Sequence, residues 1–175
     1  MRLAAVLLAS ALCLSAQDLL SDRRAPGFSL PDLRFRQHDL EDHRGQVVLL
    51  ELMQTTCPFC QKVILAMDQA VAKYPGKVYS FAIVNPPDNT ATVSQYIATF
   101  RIKTTILFDC GQAAASYLRA TPQNPEAHFP HLFLIDPQGV VRAHFGPSGL
   151  TDEFVQAGGL SSAIARLVNP PPAKK

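Results

Sequence analysis

The segment that decides the fold spans residues 47–67 and reads VVLLELMQTTCPFCQKVILAM. Its first seven residues are aliphatic except for Glu51, and such a run predicts a strand that is buried on both faces. From residue 63 onwards, apolar residues recur three or four positions apart, which indicates one face of a helix. The sequence therefore places Cys57 and Cys60 where a buried strand ends and a helix begins.

On both sides of this segment, short apolar runs alternate with stretches of helical spacing. An extended lead-in is predicted at residues 26–33, where two prolines exclude a central strand. Further strands are predicted at residues 78–84, 106–108, 131–136 and 140–145. Further helices are predicted over residues 93–100, 112–120 and 151–168, with a break or bend at Gly158-Gly159. This order predicts an α/β fold with a mixed central sheet and helices on both faces.

The composition is that of an ordinary globular domain. The chain has 175 residues, 47% of them hydrophobic, which is enough for one domain with a sizeable core. Lys and Arg number 16 against 14 Asp and Glu, so the formal net charge is only +2. No basic run supplies a phosphate-binding surface, and we therefore expect no nucleic acid among the partners.

The first 16 residues have the pattern of a secretory signal peptide. Arg2 precedes an apolar run that ends at Leu14, and the small residues Ser15 and Ala16 come before a polar stretch. We expect cleavage after Ala16 and export to the periplasm or another extracytoplasmic space. The run is shorter than the roughly 20 apolar residues that span a bilayer. An uncleaved signal, or a lipid on Cys13, is the alternative that would anchor the chain to a membrane.

Four parts of the chain follow from these patterns. They are a signal peptide at residues 1–16, a flexible polar lead at 17–25, a folded domain at 26–168 and a disordered tail at 169–175. Without the signal peptide, three cysteines remain, namely Cys57, Cys60 and Cys110. Outside the cytosol, an odd number indicates one pair and one free or transiently paired thiol.

The setting of the Cys57-Pro58-Phe59-Cys60 motif favours redox chemistry. The N-terminus of a helix stabilises a thiolate at Cys57, because its free N–H groups and positive dipole end attract negative charge. Pro58 suits the first helical turn, and Cys60 lies one turn further along, where it can close a disulfide. We therefore expect Cys57 to be the exposed nucleophile and Cys60 the more buried resolving thiol.

Two other interpretations of the cysteine pair remain open on the sequence alone. The pair could belong to a metal site that also uses Cys110, His128 or His131, because a metal ion needs more ligands than two cysteines. It could also be an inert pair with no chemical role.

Four segments of the chain resemble the thioredoxin superfamily. They are the lead-in APGFSLPDL at residues 25–33, RGQVVLL at 44–50, the cysteine motif at 57–60 and FPHLFLIDPQG at 129–139. The resemblance runs from about residue 25 to residue 168. It is closest to exported TlpA/ResA-like proteins, which are related to the AhpC/TSA proteins. It implies a thioredoxin-like three-layer sandwich, in which a mixed central sheet carries helices on both faces.

The resemblance also implies roles for individual residues. Cys57 and Cys60 become the redox dithiol, and Pro130 becomes the cis-proline beside it. Glu51, six residues before Cys57, becomes the buried acid that moves a proton during exchange. The substrate would contact the surroundings of the pair, for which the candidates are Thr56, Phe59 and Phe129.

The resemblance implies a thiol-disulfide oxidoreductase, with reduction as the slightly favoured direction. Its partners would be disulfide-containing or dithiol proteins and a thiol electron donor or acceptor. It needs no metal and no cofactor beyond the redox-active disulfide itself. One departure is that Thr56 replaces the usual Trp before the first cysteine, and the chain has no Trp at all.

Two alternative functions are compatible with a thioredoxin-like chain. The first is a Cu(I)-binding metallochaperone, because soft thiolates suit Cu(I). The second is a thiol peroxidase. Leu50 and Gln54 occupy the places where a peroxiredoxin needs Pro and Thr, so the sequence does not encode that peroxide pocket.

The sequence leaves the roles of three further residues open. Glu51 could serve as a proton relay or as a structural carboxylate paired with a Lys or Arg. Cys110 could be an auxiliary redox thiol or a small buried filler. His131, with His128, could tune the thiolate or could simply be a solvated loop residue.

Overall fold

The structure, a computed structural model, describes residues 20–123 and 128–169. The predicted signal peptide at residues 1–16 lies outside these ranges. So do residues 17–19 of the predicted lead and residues 170–175 of the predicted tail.

The described residues form eight strands and five α-helices. The strands are β1 (Arg23–Arg24), β2 (Ser29–Pro31), β3 (Gln37–Asp39), β4 (Val47–Met53), β5 (Val78–Val84), β6 (Thr105–Phe108), β7 (His131–Ile135) and β8 (Val140–Phe145). The helices are α1 (Pro58–Lys73), α2 (Thr90–Phe100), α3 (Gln112–Leu118), α4 (Asp152–Gln156) and α5 (Gly159–Val168). A 3-10 turn at Leu40–His43 leads into β4.

Six strands form one mixed sheet in the order β1-β8-β7-β4-β5-β6. The strands β4, β5 and β6 are parallel, whereas β7 and β8 run antiparallel to their neighbours. β2 and β3 form a separate hairpin. The α/β prediction with a mixed sheet is therefore confirmed.

The central strand β4 is buried at all seven positions, because helices cover both faces of the sheet. Its even-numbered residues pack in a cluster with residues of α3, and Val47 and Leu49 pack in a cluster with residues of α1 and α5. This alternation is the period-two geometry of a strand. It explains why the run at residues 47–53 contains almost no polar side chain.

Residues 20–25 of the predicted flexible lead contain a strand at the edge of the sheet. Arg23 and Arg24 form the edge strand β1 against β8, and Ala25 is buried. The backbone N–H groups of Asp22 and Ala25 donate to the carbonyls of Val141 and Gly139. These hydrogen bonds tie the segment to the sheet although its side chains are polar.

The helix predicted over residues 151–168 is interrupted, as expected at Gly158-Gly159. α4 ends at Gln156 and α5 begins at Gly159. Gly158 has a φ of +91°, a left-handed conformation that glycine adopts without steric cost.

Candidate active site

Cys57 forms the N-cap of α1, so its sulfur lies at the positive end of the helix dipole. The Cys60 N–H donates to the Cys57 Sγ at 3.1 Å, and Pro58 occupies the first helical position. A cysteine thiol at the N-terminus of a helix generally has a lower pKa than a free thiol, because the unpaired backbone N–H groups stabilise the thiolate.

Cys57 and Cys60 are joined in a disulfide with a Cα–Cα distance of 5.3 Å. Cys57 is partly exposed, whereas Cys60 is completely buried among residues of β4, β5 and α2. An attacking thiolate from another molecule can therefore reach the Cys57 sulfur and not the Cys60 sulfur.

Glu51 lies within β4, on the face that α1 covers. It alternates with Leu49 and Met53, and Met53 packs in the same cluster as Cys60. Glu51 has no exposed surface, and neither carboxyl oxygen has a hydrogen-bond partner among the described residues. Burial raises the pKa of this carboxyl well above its ordinary value of 4.5, so the neutral form is favoured over the carboxylate.

The alternative in which Glu51 pairs with a Lys or Arg is therefore wrong within the described part of the chain. Glu51 is buried in an aliphatic strand, as predicted. No ion pair with a described residue offsets the free-energy cost of burying its carboxyl group. A neutral carboxyl group can release its proton but cannot accept a second one, so in the disulfide form Glu51 is a potential proton donor.

The segment that leads into β7 borders the cysteine pair. The Phe129–Pro130 peptide bond is cis and Pro130 is buried. Phe129 is half-buried and packs against the cluster that contains Cys60. The next residue, His131, pairs with Leu52 of β4, so this segment lies beside the end of the strand that leads to Cys57.

The remaining predicted contact residues surround the pair on different sides. Thr56 is exposed directly before Cys57. Phe59 is half-buried and packs towards α5, with the Lys62 Nζ 5.4 Å from the centre of its ring.

Asp88 holds the loop that precedes Cys57, and the sequence analysis missed it. Its carboxylate accepts a hydrogen bond from the Thr55 N–H at 2.9 Å and another from the Thr55 hydroxyl. It also accepts from the Thr92 hydroxyl of α2 at 3.0 Å. The segment around Asp88 has the sequence pattern of a turn after β5, and no local signal indicates a partner 33 residues away.

We expect Asp88→Ala to destabilise the fold by about 1.5–3 kcal/mol, because it removes hydrogen bonds to a charged acceptor. It should also slow thiol-disulfide exchange, because the loop before Cys57 loses its anchor. Urea unfolding and an exchange assay measure the two effects. Asp152→Ala is the control, since Asp152 forms an exposed ion pair with Lys62 and such pairs contribute little. Equal stability of the two variants would contradict the anchoring role.

Cys110 is exposed and free, so the interpretation of this residue as a buried filler is wrong. It precedes Gly111, the N-cap of α3. Together with Gln54, Asn85 and Phe129 it lines a groove of about 410 Å³. The auxiliary redox role of Cys110 remains a prediction.

His131 is engaged with another histidine. Its Nδ1 lies 2.9 Å from the Nε2 of His144, and the two rings are stacked. By strand alternation with Phe133, its side chain lies on the face covered by α3, opposite to α1. His128 is exposed.

Two negative observations apply to residues 20–123 and 128–169. Within these ranges, no three His, Cys, Asp or Glu side chains are arranged so that they could hold a metal ion. Among the helices of the same ranges, none has the length and apolar character needed to cross a membrane.

The chain is similar to proteins of the AhpC/TSA family, which it matches over residues 22–144. The thiol-disulfide oxidoreductase ResA of Bacillus anthracis is 26% identical over 119 residues, which cover 68% of this chain and 65% of that protein. ResA of Geobacillus thermodenitrificans is 28% identical over 118 residues, which cover 67% and 64%. The chain thus spans a little under two thirds of the length of these relatives.

Two solved structures have a similar fold. A thiol:disulfide interchange protein of the thioredoxin family from Chlorobium tepidum has a TM-score of 0.68 and 17% identity, covering 85% of this chain and 97% of that one. A secreted Mycobacterium tuberculosis disulfide oxidoreductase, homologous to Escherichia coli DsbE, has a TM-score of 0.63 and 19% identity, covering 80% and 96%. Together with the mixed sheet, these likenesses confirm the predicted thioredoxin-like three-layer sandwich.

Proposed function

Because the chain belongs to the AhpC/TSA family, we propose that it is an exported thiol-disulfide oxidoreductase that exchanges disulfides with partner proteins. The observation that carries the proposal is the Cys57–Cys60 disulfide at the N-terminus of α1, with one sulfur exposed and the other buried. The names of the ResA relatives support the same activity. The signal-peptide pattern and the likeness to a secreted protein support export.

The reaction in the favoured direction starts from the reduced dithiol. The Cys57 thiolate attacks one sulfur of the partner's disulfide, a mixed disulfide forms, and the partner's other sulfur leaves as a thiolate. The Cys60 thiolate then attacks the Cys57 sulfur, which closes the intramolecular disulfide and releases the reduced partner. Two electrons pass from the dithiol to the partner, and a separate thiol donor restores the dithiol.

Glu51 is the group that we propose exchanges a proton with Cys60. In the disulfide form its neutral state is favoured. It gives its proton to the Cys60 thiolate when the disulfide is reduced, and the carboxylate so formed takes the proton back when Cys60 attacks. Cys60 is buried and must lose a proton before it can attack. Glu51 is buried on the same face of β4 and has no competing partner among the described residues. Phe129 and Thr56 border Cys57 and are the proposed contacts of the partner polypeptide.

The reduction potential of the Cys57–Cys60 pair tests the direction. A value near about −270 mV would be that of a thioredoxin-like reductant, whereas a value near about −120 mV would be that of a strong oxidant. Equilibration with a glutathione buffer, followed by thiol alkylation and mass determination, gives this value without a Trp signal, which the chain lacks.

The two alternative functions predict different results for metal binding, peroxide consumption and disulfide exchange. A Cu(I) carrier would bind one Cu(I) tightly in anaerobic titration and show no disulfide exchange. A thiol peroxidase would consume hydrogen peroxide faster than it exchanges disulfides. Either outcome would overturn the proposed function.

A further inference from the structure

The turn between β2 and β3 presents the one large hydrophobic side chain that is exposed in the described part of the chain. Phe35 is 79% exposed, and it lies between Arg34 and Arg36, which are exposed as well. We call residues 34–36 the basic tip. Single exposed apolar residues are ordinary on protein surfaces, so a function has to be argued from the way in which the turn holds this one.

Asp32 fixes the shape of the basic tip. Its buried carboxylate accepts hydrogen bonds from the backbone N–H groups of Arg34 at 2.7 Å and Arg36 at 3.0 Å. The Arg36 guanidinium and the His38 ring bind the same carboxylate. The Phe35 N–H donates to the Asp32 carbonyl at 2.9 Å. The exposed ring is therefore carried by an ordered turn.

The backbone of Phe35 is strained. Its φ is +60°, in the left-handed region, which is unfavourable for a bulky side chain and which Asn or Gly adopts more readily. The turn thus combines an unfavourable backbone conformation with an aromatic ring in water. Neither feature stabilises the described fold, and both have a purpose if the ring acts on something outside the protein.

Further cations lie next to the basic tip. Arg34, Arg36 and Lys103 line one cleft of about 310 Å³ beside the turn, so these three residues are neighbours although they belong to two segments of the chain. Arg101, two residues before Lys103, is exposed as well. The apolar side chains that line the cleft are those of Leu33, Ile97, Ile102 and Ile106.

The acidic groups near this cleft are already engaged within the fold. Asp32 is bound by Arg36 and His38, as described above. The Asp68 carboxylate accepts from the backbone N–H groups at residues 103 and 104. Neither Arg34 nor Lys103 forms an ion pair with a described residue. The surface around Phe35 therefore presents uncompensated positive charge.

We propose that the basic tip docks on a bilayer surface that contains anionic lipid, with Phe35 in the headgroup region and Arg34 and Lys103 on lipid phosphates. Aromatic rings are favoured at the bilayer interface, and Lys and Arg side chains are attracted to anionic lipids. A protein partner of standard size would need an apolar interface centre, which one isolated ring does not supply. This contact is separate from the cysteine chemistry and goes beyond the proposed function.

Fluorescence gives a local test, because the chain has no Trp and Phe35→Trp supplies its only indole. Vesicles of phosphatidylcholine with a minority of phosphatidylglycerol should shift the emission of this full-length variant to shorter wavelength. Vesicles of phosphatidylcholine alone should not, and high salt should reverse the shift because it screens the charges. The indole reports its own surroundings, so binding through another part of the chain does not produce this result.

Two controls match this design. Ser161→Trp places the indole at an exposed position of α5, which packs with Val47 and Leu49 on the other face of the sheet, and its emission should not shift. In the Phe35→Trp chain, Arg34→Gln should raise the lipid concentration that gives half of the shift by about fivefold. Arg166→Gln removes an equal charge from α5 and should leave that concentration unchanged.

Phe35→Asn separates a role in the fold from a role at a surface. Asn suits the left-handed backbone, so the midpoint of urea unfolding should stay the same or rise. A lower midpoint would mean that the ring serves the fold, and would overturn the proposal. So would an unshifted indole at position 35, or an equal shift in Ser161→Trp. A shift produced by polyglutamate and not by the vesicles would assign the surface to an acidic protein partner instead.

Discussion

Cys57→Ser is expected to lower the rate of disulfide exchange by on the order of a thousandfold or more. A serine hydroxyl stays protonated at neutral pH and is a far weaker nucleophile than a thiolate held at a helix N-terminus. Cys60→Ser is expected to behave differently. Its Cys57 thiolate can still attack, but no internal thiol resolves the product, so the mixed disulfide should accumulate.

An insulin-reduction assay measures the first effect, and non-reducing mass spectrometry detects the trapped adduct of the second. Cys110→Ser is the control for the loss of a thiol as such, and it should retain most of the exchange rate because Cys110 is not part of the disulfide. Normal activity of Cys57→Ser would show that the mechanism is wrong.

Glu51→Leu is expected to stabilise the fold by about 1–3 kcal/mol at neutral pH, because it removes a buried carboxyl that has no partner. The gain should depend on pH in a defined sense. Burial raises the pKa of Glu51 above 4.5 in the folded protein, so the folded state holds a proton that the unfolded chain releases. The stabilising contribution of that proton is complete below about pH 4.5 and is lost as the pH rises through the folded-state pKa.

The advantage of Glu51→Leu should therefore grow from about pH 4.5 upwards, and urea unfolding at several pH values measures it. Glu153→Leu is the matched control, since Glu153 is exposed and such changes stay within about 0.5 kcal/mol. A destabilised Glu51→Leu protein would contradict the absence of a partner. The same variant should exchange disulfides about a hundredfold more slowly, the usual contribution of a positioned acid or base.

The sequence predicted the central elements well, because their signals are local. The run at residues 47–53 is long and aliphatic, and the spacing after Cys60 is helical, so β4 and α1 follow from period and burial alone. β1 has no such signal. Arg23 and Arg24 are polar, and they form a strand only because β8 offers a free edge.

The sequence predicted the cysteines of the candidate site. It did not predict the residues that hold the surrounding loops in place. Cys57 and Cys60 lie only three positions apart in the sequence, and their spacing is itself a recognisable motif. Asp88 acts across a gap of 33 residues, and a turn aspartate has no sequence pattern that indicates such a partner. Contacts of this kind arise from the tertiary structure, which a single sequence does not display.

The burial of Cys60 restricts which partner disulfides the protein can attack. With one sulfur accessible, a partner disulfide must be brought end-on to Cys57, which only a protruding or flexible segment allows. On the proposed function, crosslinks inside rigid neighbouring proteins escape attack, while those on loops and unfolded chains are processed. The fold would act as an accessibility filter, leaving finished proteins in the same compartment untouched.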